Sequence, residues 1–128
     1  MRESNKVVLS KLVGKIIFST EGEKQDERFT IKTECGMIFD FYHEQDCCEE
    51  VYLEEIIGDL DDLIGFQVVM AEEVSNADEP VDTKAEHYDS YTWTFYRIAT
   101  EHGLVVLRFL GESNGYYSEE VTVSARQQ

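Results

Sequence analysis

The chain has 128 residues, 42% of them apolar and 30% charged, with 27 acids against 11 bases and a formal net charge of −16. A chain this long buries roughly two thirds of the surface it exposes when unfolded and folds as a single domain, 1–128, without staples. Seven Phe, seven Tyr and one Trp beside a single Pro exclude a disordered acidic tail, and the sign of the charge excludes a basic face for duplex nucleic acid.

No apolar run approaches the roughly 20 residues of a membrane span. The opening MRESNKVVLSKLVGK has neither the unbroken apolar stretch nor the small-residue cleavage site of a signal peptide, which points to a cytoplasmic protein. Residues 7–13, VVLSKLV, fit a short helix or a first strand equally well, and Gly14 closes them. KIIFSTEG (15–22), RFTIKTE (28–34) and GMIFDFYHE (36–44) are rich in β-branched and aromatic residues and separated by turn-like segments, so they read as three consecutive antiparallel strands. In the second of these, Phe29, Ile31 and Thr33 share the core side, while Arg28, Thr30 and Lys32 share the wet side.

EEVYLEEIIGDLDDLIG (49–65) alternates and then turns helical in period, which predicts a strand followed by one or two helical turns with Asp59 as N-cap and Gly65 as terminator. FQVVMAEE (66–73) is a further strand, and residues 74–90, with the only Pro, read as a long exposed loop. Three strands finish the chain, SYTWTFYRIAT (90–100), LVVLRFLGE (104–112) and YYSEEVTVS (116–124). Asn114-Gly115 predicts a type I′ hairpin between the last two. The fold class is α+β, a mainly antiparallel sheet of about eight strands, barrel-like in the closed limit, with one or two short helices.

Between Lys32 and Lys84 lie 16 acids and no Lys or Arg, so the whole net charge belongs to the middle of the chain. Carboxylates crowded without counter-charge suggest a cationic partner. Glu44, Asp46, Glu49, Glu50, Glu54, Glu55, Asp59, Asp61 and Asp62 could then imitate a row of phosphates facing a host protein with a basic surface. The bland reading is a solvated face that aids solubility.

A different reading places Arg28, Arg97 and Arg108 with Tyr91, Trp93 and Tyr116 in a pocket, at an oligomer interface, that sequesters a nucleotide signal: guanidinium groups fork onto phosphates and rings stack on bases. Against it, each arginine has carboxylates to pair with. A third reading is a metal-dependent enzyme around His43, because Tyr42-His43-Glu44-Gln45-Asp46-Cys47-Cys48-Glu49-Glu50 gathers metal-binding side chains. Consecutive ligands on an extended segment cannot converge, so no bound metal or other cofactor is expected. A Cys47 or Cys48 nucleophile with His43 or His102 is weaker still, because neighbouring acids raise a thiol pKa. Three cysteines without a secretion signal predict reduced thiols, with Cys47 and Cys48 unjoined and on opposite faces of an extended segment. The Asp59–Asp62 segment lacks EF-hand register, and no Walker A, GxGxxG, G-x-S-x-G or HExxH pattern occurs, so a non-catalytic role is expected.

FYHEQDCCEEVYLEEIIGDLDDLIG, then WTFYRIAT, then RFLGESNGYYSEEV resemble a family of small domains of unknown function encoded largely by phages and prophages, over about residues 28–123. The sequence departs from the family pattern at Leu110, where an aromatic is more usual. The resemblance implies an accessory phage product of the size of counter-defence proteins, and it supplies no catalytic residues.

Overall fold

A computed structural model describes residues 3–75, 90–115 and 117–128. A helix, α1 (Asn5–Leu12), precedes β1 (Ile17–Glu21), β2 (Arg28–Thr33), β3 (Met37–Tyr42) and β4 (Glu50–Ile57). A single 3-10 turn (Leu60–Asp62) leads into β5 (Val68–Ser75), β6 (Ser90–Thr100), β7 (Gly103–Ser113) and β8 (Thr122–Gln127). The strands form two antiparallel four-stranded sheets, ordered β1-β2-β3-β8 and β4-β7-β6-β5, and they do not close into a barrel.

Alternation decides which face each strand buries. Phe29 and Ile31 of β2, Phe39 and Phe41 of β3 and Val123 of β8 face Leu53, Leu107, Phe109, Tyr96 and Ile98 of the second sheet, all within one core. The rings link the sheets edge to face: Phe41 lies 5.0 Å from Tyr96, and Tyr96 lies 5.9 Å from Phe109. The ambiguous 7–13 segment is helical because its apolar residues at 8, 9 and 12 fall on one face. There Val8, Leu9 and Leu12 are buried, against β5 and β8, and Ser4 caps the first turn by accepting the Val7 N–H. Asp59 caps the 3-10 turn as its spacing predicts, accepting the Asp61 N–H at 2.9 Å, and Gly65 beyond it takes φ +86°.

Two expectations fail. The hairpin over Asn114-Gly115 does not form. β7 is already flanked by β4 and β6, so it has no free edge for residues 116–123. Of that pair only Gly115 has positive φ. The chain instead crosses over and β8 pairs with β3, from Met37↔Gln127 to Tyr42↔Thr122. Residues 43–49 are also not an extended strand, because β3 ends at Tyr42. The loop expected at 74–90 begins within β5, which runs to Ser75, and residues 76–89 lie outside the described part.

Candidate functional site

β4, which carries three of the acids singled out, is an edge strand. Its outer side is lined by residues 22–27: Gln25 N–H donates to Leu53 O at 2.6 Å and Leu53 N–H to Asp26 O at 2.8 Å. Exposed Glu23, Asp26 and Glu27 thereby join the exposed Glu50 and the half-buried Glu54 and Glu55. Exposed Glu44 and Asp46 lie in the segment entering β4, and exposed Asp59 and Asp61 in the segment leaving it. An eight-residue strand spans about 27 Å, so the acids form a ridge of that order. Glu55 pairs with Lys24 at 3.5 Å and Glu54 with Arg108 at 2.5 Å. Asp62 is half-buried: its carboxylate lies against Gly103 and its carbonyl accepts the Thr100 hydroxyl.

Glu49 does not belong to the ridge. It is 2% exposed, and the loop from 43 to 49 winds around its carboxylate. Oε2 accepts from His43 Nε2 at 2.6 Å and from Asp46 N–H at 2.8 Å, while Oε1 accepts from Cys47 N–H at 2.8 Å. The hydrogen bond from His43 outweighs burial and, with the Cys47 and Asp46 N–H groups, holds the Glu49 carboxyl down at about 2. His43 Nδ1 meets the Glu120 carbonyl at 2.6 Å, so both ring nitrogens face acceptors and neither is available to a metal or a nucleophile. This pair ties the β3–β4 loop to the segment ahead of β8.

The cysteine expectation is corrected here. Cys47 and Cys48 are joined to each other and both are exposed, because the loop curls around Glu49 instead of running extended. Cys35 is free. His102 stacks on Phe66 with ring centroids 3.6 Å apart. Among the described residues no three His, Cys, Asp or Glu side chains are grouped to hold a metal ion.

The arginines do not converge. Trp93, Arg97 and Tyr91 alternate along one face of β6, and Arg108 of β7 stacks over Trp93 at 5.2 Å from the ring centroid. Arg28 lies on the other sheet. Each arginine has a carboxylate partner: Arg28 with Asp40, Arg97 with Glu72, and Arg108 with Glu54. The Trp93 indole N–H is buried with no hydrogen-bond partner among the described residues. Tyr116 lies outside the described residues.

Two polar centres escaped the sequence. Asp40, buried between Phe39 and Phe41 in sequence but on the opposite face, accepts from Arg126 Nε at 2.9 Å and Thr30 Oγ1 at 2.8 Å, with Arg28 at 3.3 Å. Burial would push its carboxyl up, but the bonds from Arg126 and Thr30 and the charges of Arg126 and Arg28 leave it below the usual range. The β2–β3 register, which sets Arg28 opposite Tyr42 and Thr30 opposite Asp40, was the signal available for it. Glu119 is also buried and accepts from Thr92 Oγ1 at 2.6 Å and Ser113 Oγ at 2.5 Å, which requires the crossover that the hairpin reading lacked.

The family model of a domain of unknown function (DUF7448) matches residues 10–123, and the chain belongs to that family. No curated protein and no solved structure matches the chain. Among the described residues no helix is long and apolar enough to cross a membrane.

Proposed function

We propose that this chain is a non-catalytic, phage-type accessory protein that inhibits a host defence factor, presenting its acidic β4 edge to a basic nucleic-acid channel. The observation that supports this reading is the gathering of Glu23, Asp26 and Glu27 beside Glu50, through two backbone hydrogen bonds from a segment outside the cation-free stretch. Acids distant in sequence meet on one edge, with Glu54 and Glu55 the two on β4 held in ion pairs. A ridge of this sign attracts a cationic partner over a Debye length of about 8 Å at physiological salt and about 30 Å at 0.01 M. The nucleotide-sequestering pocket is not favoured, because its arginines lie on two sheets and each is paired.

The test is a combined reversal of Glu27, Asp46, Glu50 and Asp61 to Lys. These side chains are exposed, and no side-chain hydrogen bond or ion pair to a described residue involves them, so folding should be retained. Basic DNA-binding proteins captured from a bacterial host by the unaltered chain should be lost by the variant and released by added duplex DNA. Binding should weaken at least about tenfold between 0.01 M and physiological salt. Capture that survives the reversal refutes the reading.

A further inference from the structure

Where β5 finishes and β6 begins, a cleft of about 410 Å³ opens between these strands, the start of α1 and the Glu120-Val121 segment ahead of β8. Cross-strand register sets what lines its inner wall: Glu73 stands opposite Tyr96, and Ser75 opposite Thr94. Asn5, at the start of α1, closes the far side by donating to Val121 O at 2.8 Å and accepting from Val123 N–H at 2.9 Å.

Two acceptors in this cleft are unspent. Glu73 Oε2 accepts from Tyr96 Oη at 2.6 Å and Asn5 Nδ2 at 2.7 Å, while no described residue engages Oε1. Thr94 is only 5% exposed and lines the cleft, and its hydroxyl bonds to no described residue. The hydroxyl therefore keeps its hydrogen-bonding capacity for whatever enters the cleft. Glu120 stands in the same lining, and with Glu73 it outnumbers the one lining cation, Lys6. The buried Val121 and the threonine methyls supply apolar wall for a short aliphatic stem.

We propose that this cleft binds the primary ammonium group of a small aliphatic amine, with Glu73 Oε1 and Thr94 Oγ1 as its deep acceptors and Glu120 in the surrounding wall. An ammonium brings three donors and a positive charge, which complements a wall of acceptors with excess negative charge, and the volume suits a small ligand. The site lies at β5, the edge of its sheet opposite β4, so it is independent of the acidic ridge.

Amide NMR titration with 1,4-diaminobutane at physiological salt tests it. Saturable shifts centred on Glu73, Thr94 and Val121 are expected, and 1,4-butanediol, the neutral isostere, should give none. Thr94→Val should weaken diaminobutane binding by about tenfold or more, since it removes one charge-assisted hydrogen bond, while the melting temperature holds or rises because the lost hydroxyl had no internal partner. Glu120→Gln should weaken binding without moving the shifts elsewhere. Acetyl-lysinamide binding more tightly than diaminobutane would assign the amine to a partner's lysine, and the reverse would assign it to a free amine. Shifts that fail to saturate or centre on residues 44–62, equal binding of butanediol, or undiminished binding by Thr94→Val would each overturn the proposal. The quadruple reversal on β4 should leave diaminobutane binding intact, which separates failure here from failure of the ridge.

Discussion

Replacing Gly111 with Ala tests the crossover that takes the chain from β7 to the other sheet. A Cβ at this position would lie 2.8 Å from both the Cβ and the carbonyl oxygen of Glu119 and 3.3 Å from its Cα. Backbone cannot yield as the tip of a flexible side chain can, so residues 117–121 must move by several tenths of an ångström. That shift also disturbs the Glu119 carboxylate, which holds Thr92 and Ser113. Overpacking of this kind costs about 1–3 kcal/mol. With an unfolding entropy of about 2.1 cal/mol/K per residue, the melting temperature of a 128-residue chain should fall by about 4–11 °C. In an ordinary strand the sign is opposite, since Gly is roughly 0.5–1 kcal/mol worse than Ala. Differential scanning calorimetry reads the difference directly, with Gly115→Ala as the comparison: there φ is +87° but the nearest atom is 4.0 Å away, so strain acts without crowding. A melting temperature for Gly111→Ala that is unchanged or raised would refute the crossover packing.

Acid should unfold the chain through identifiable carboxylates. Glu49 and Asp40 both sit below their ordinary values of 4.5 and 3.8, so their stabilisation is complete above those values and is lost as pH falls, for Glu49 down through about 2. The urea midpoint should therefore drop between pH 5 and 2, and a flat profile across that window contradicts the pairing. Glu49→Gln should flatten part of the drop while lowering stability at pH 7. Tyr52 should ionise above the ordinary value of 10, because burial and then Glu112, Glu54 and Glu50 disfavour the phenolate; in Tyr52→Phe the ultraviolet titration should lose absorbance change above pH 10, and an unchanged curve there would discount that cluster. Glu49→Lys, unlike the four exposed reversals, should impair folding, read as loss of dispersion in amide NMR spectra.

Most elements were legible because their signals are local. The alternation in RFTIKT and SYTWTFYRIAT gives strands whose core faces are Phe29, Ile31 and Thr33, and Thr94, Tyr96 and Ile98. The Asp59 cap and the Gly65 stop depend on neighbours two to six residues away. The joined Cys47 and Cys48 reflect a local curl around Glu49, whereas the other failures involve distant partners. Asn114-Gly115 is a sound hairpin signal, but whether a hairpin forms depends on a free strand edge, and β4 occupies the one that residues 116–123 would need. The cation-free stretch predicted an acidic surface without saying which acids reach it. Glu49 leaves because His43 meets it from six residues away, itself fixed by Glu120 across 77 residues. Glu23, Asp26 and Glu27 arrive because a loop docks on Leu53.

An acidic edge strand admits a structural explanation as well as a functional one. Edge strands expose unpaired N–H and C=O groups, and charged side chains there discourage pairing with another chain. The exposed carboxylates of Glu50 and of the segments flanking β4 would serve that purpose whatever partner the protein has. The two explanations separate by charge sign. Lysine guards an edge as well as glutamate does, so reversal of Glu27, Asp46, Glu50 and Asp61 should leave the chain as dispersed in solution as before if the acids only prevent pairing, and basic partners should then be unaffected. If the acids form a recognition surface, the same variant stays dispersed but loses those partners. Neutral replacement of the four by Ala gives the complementary result: self-association detected by sedimentation would reveal the protective role. Neutralisation that leaves the chain monomeric while abolishing binding would assign the ridge to recognition alone.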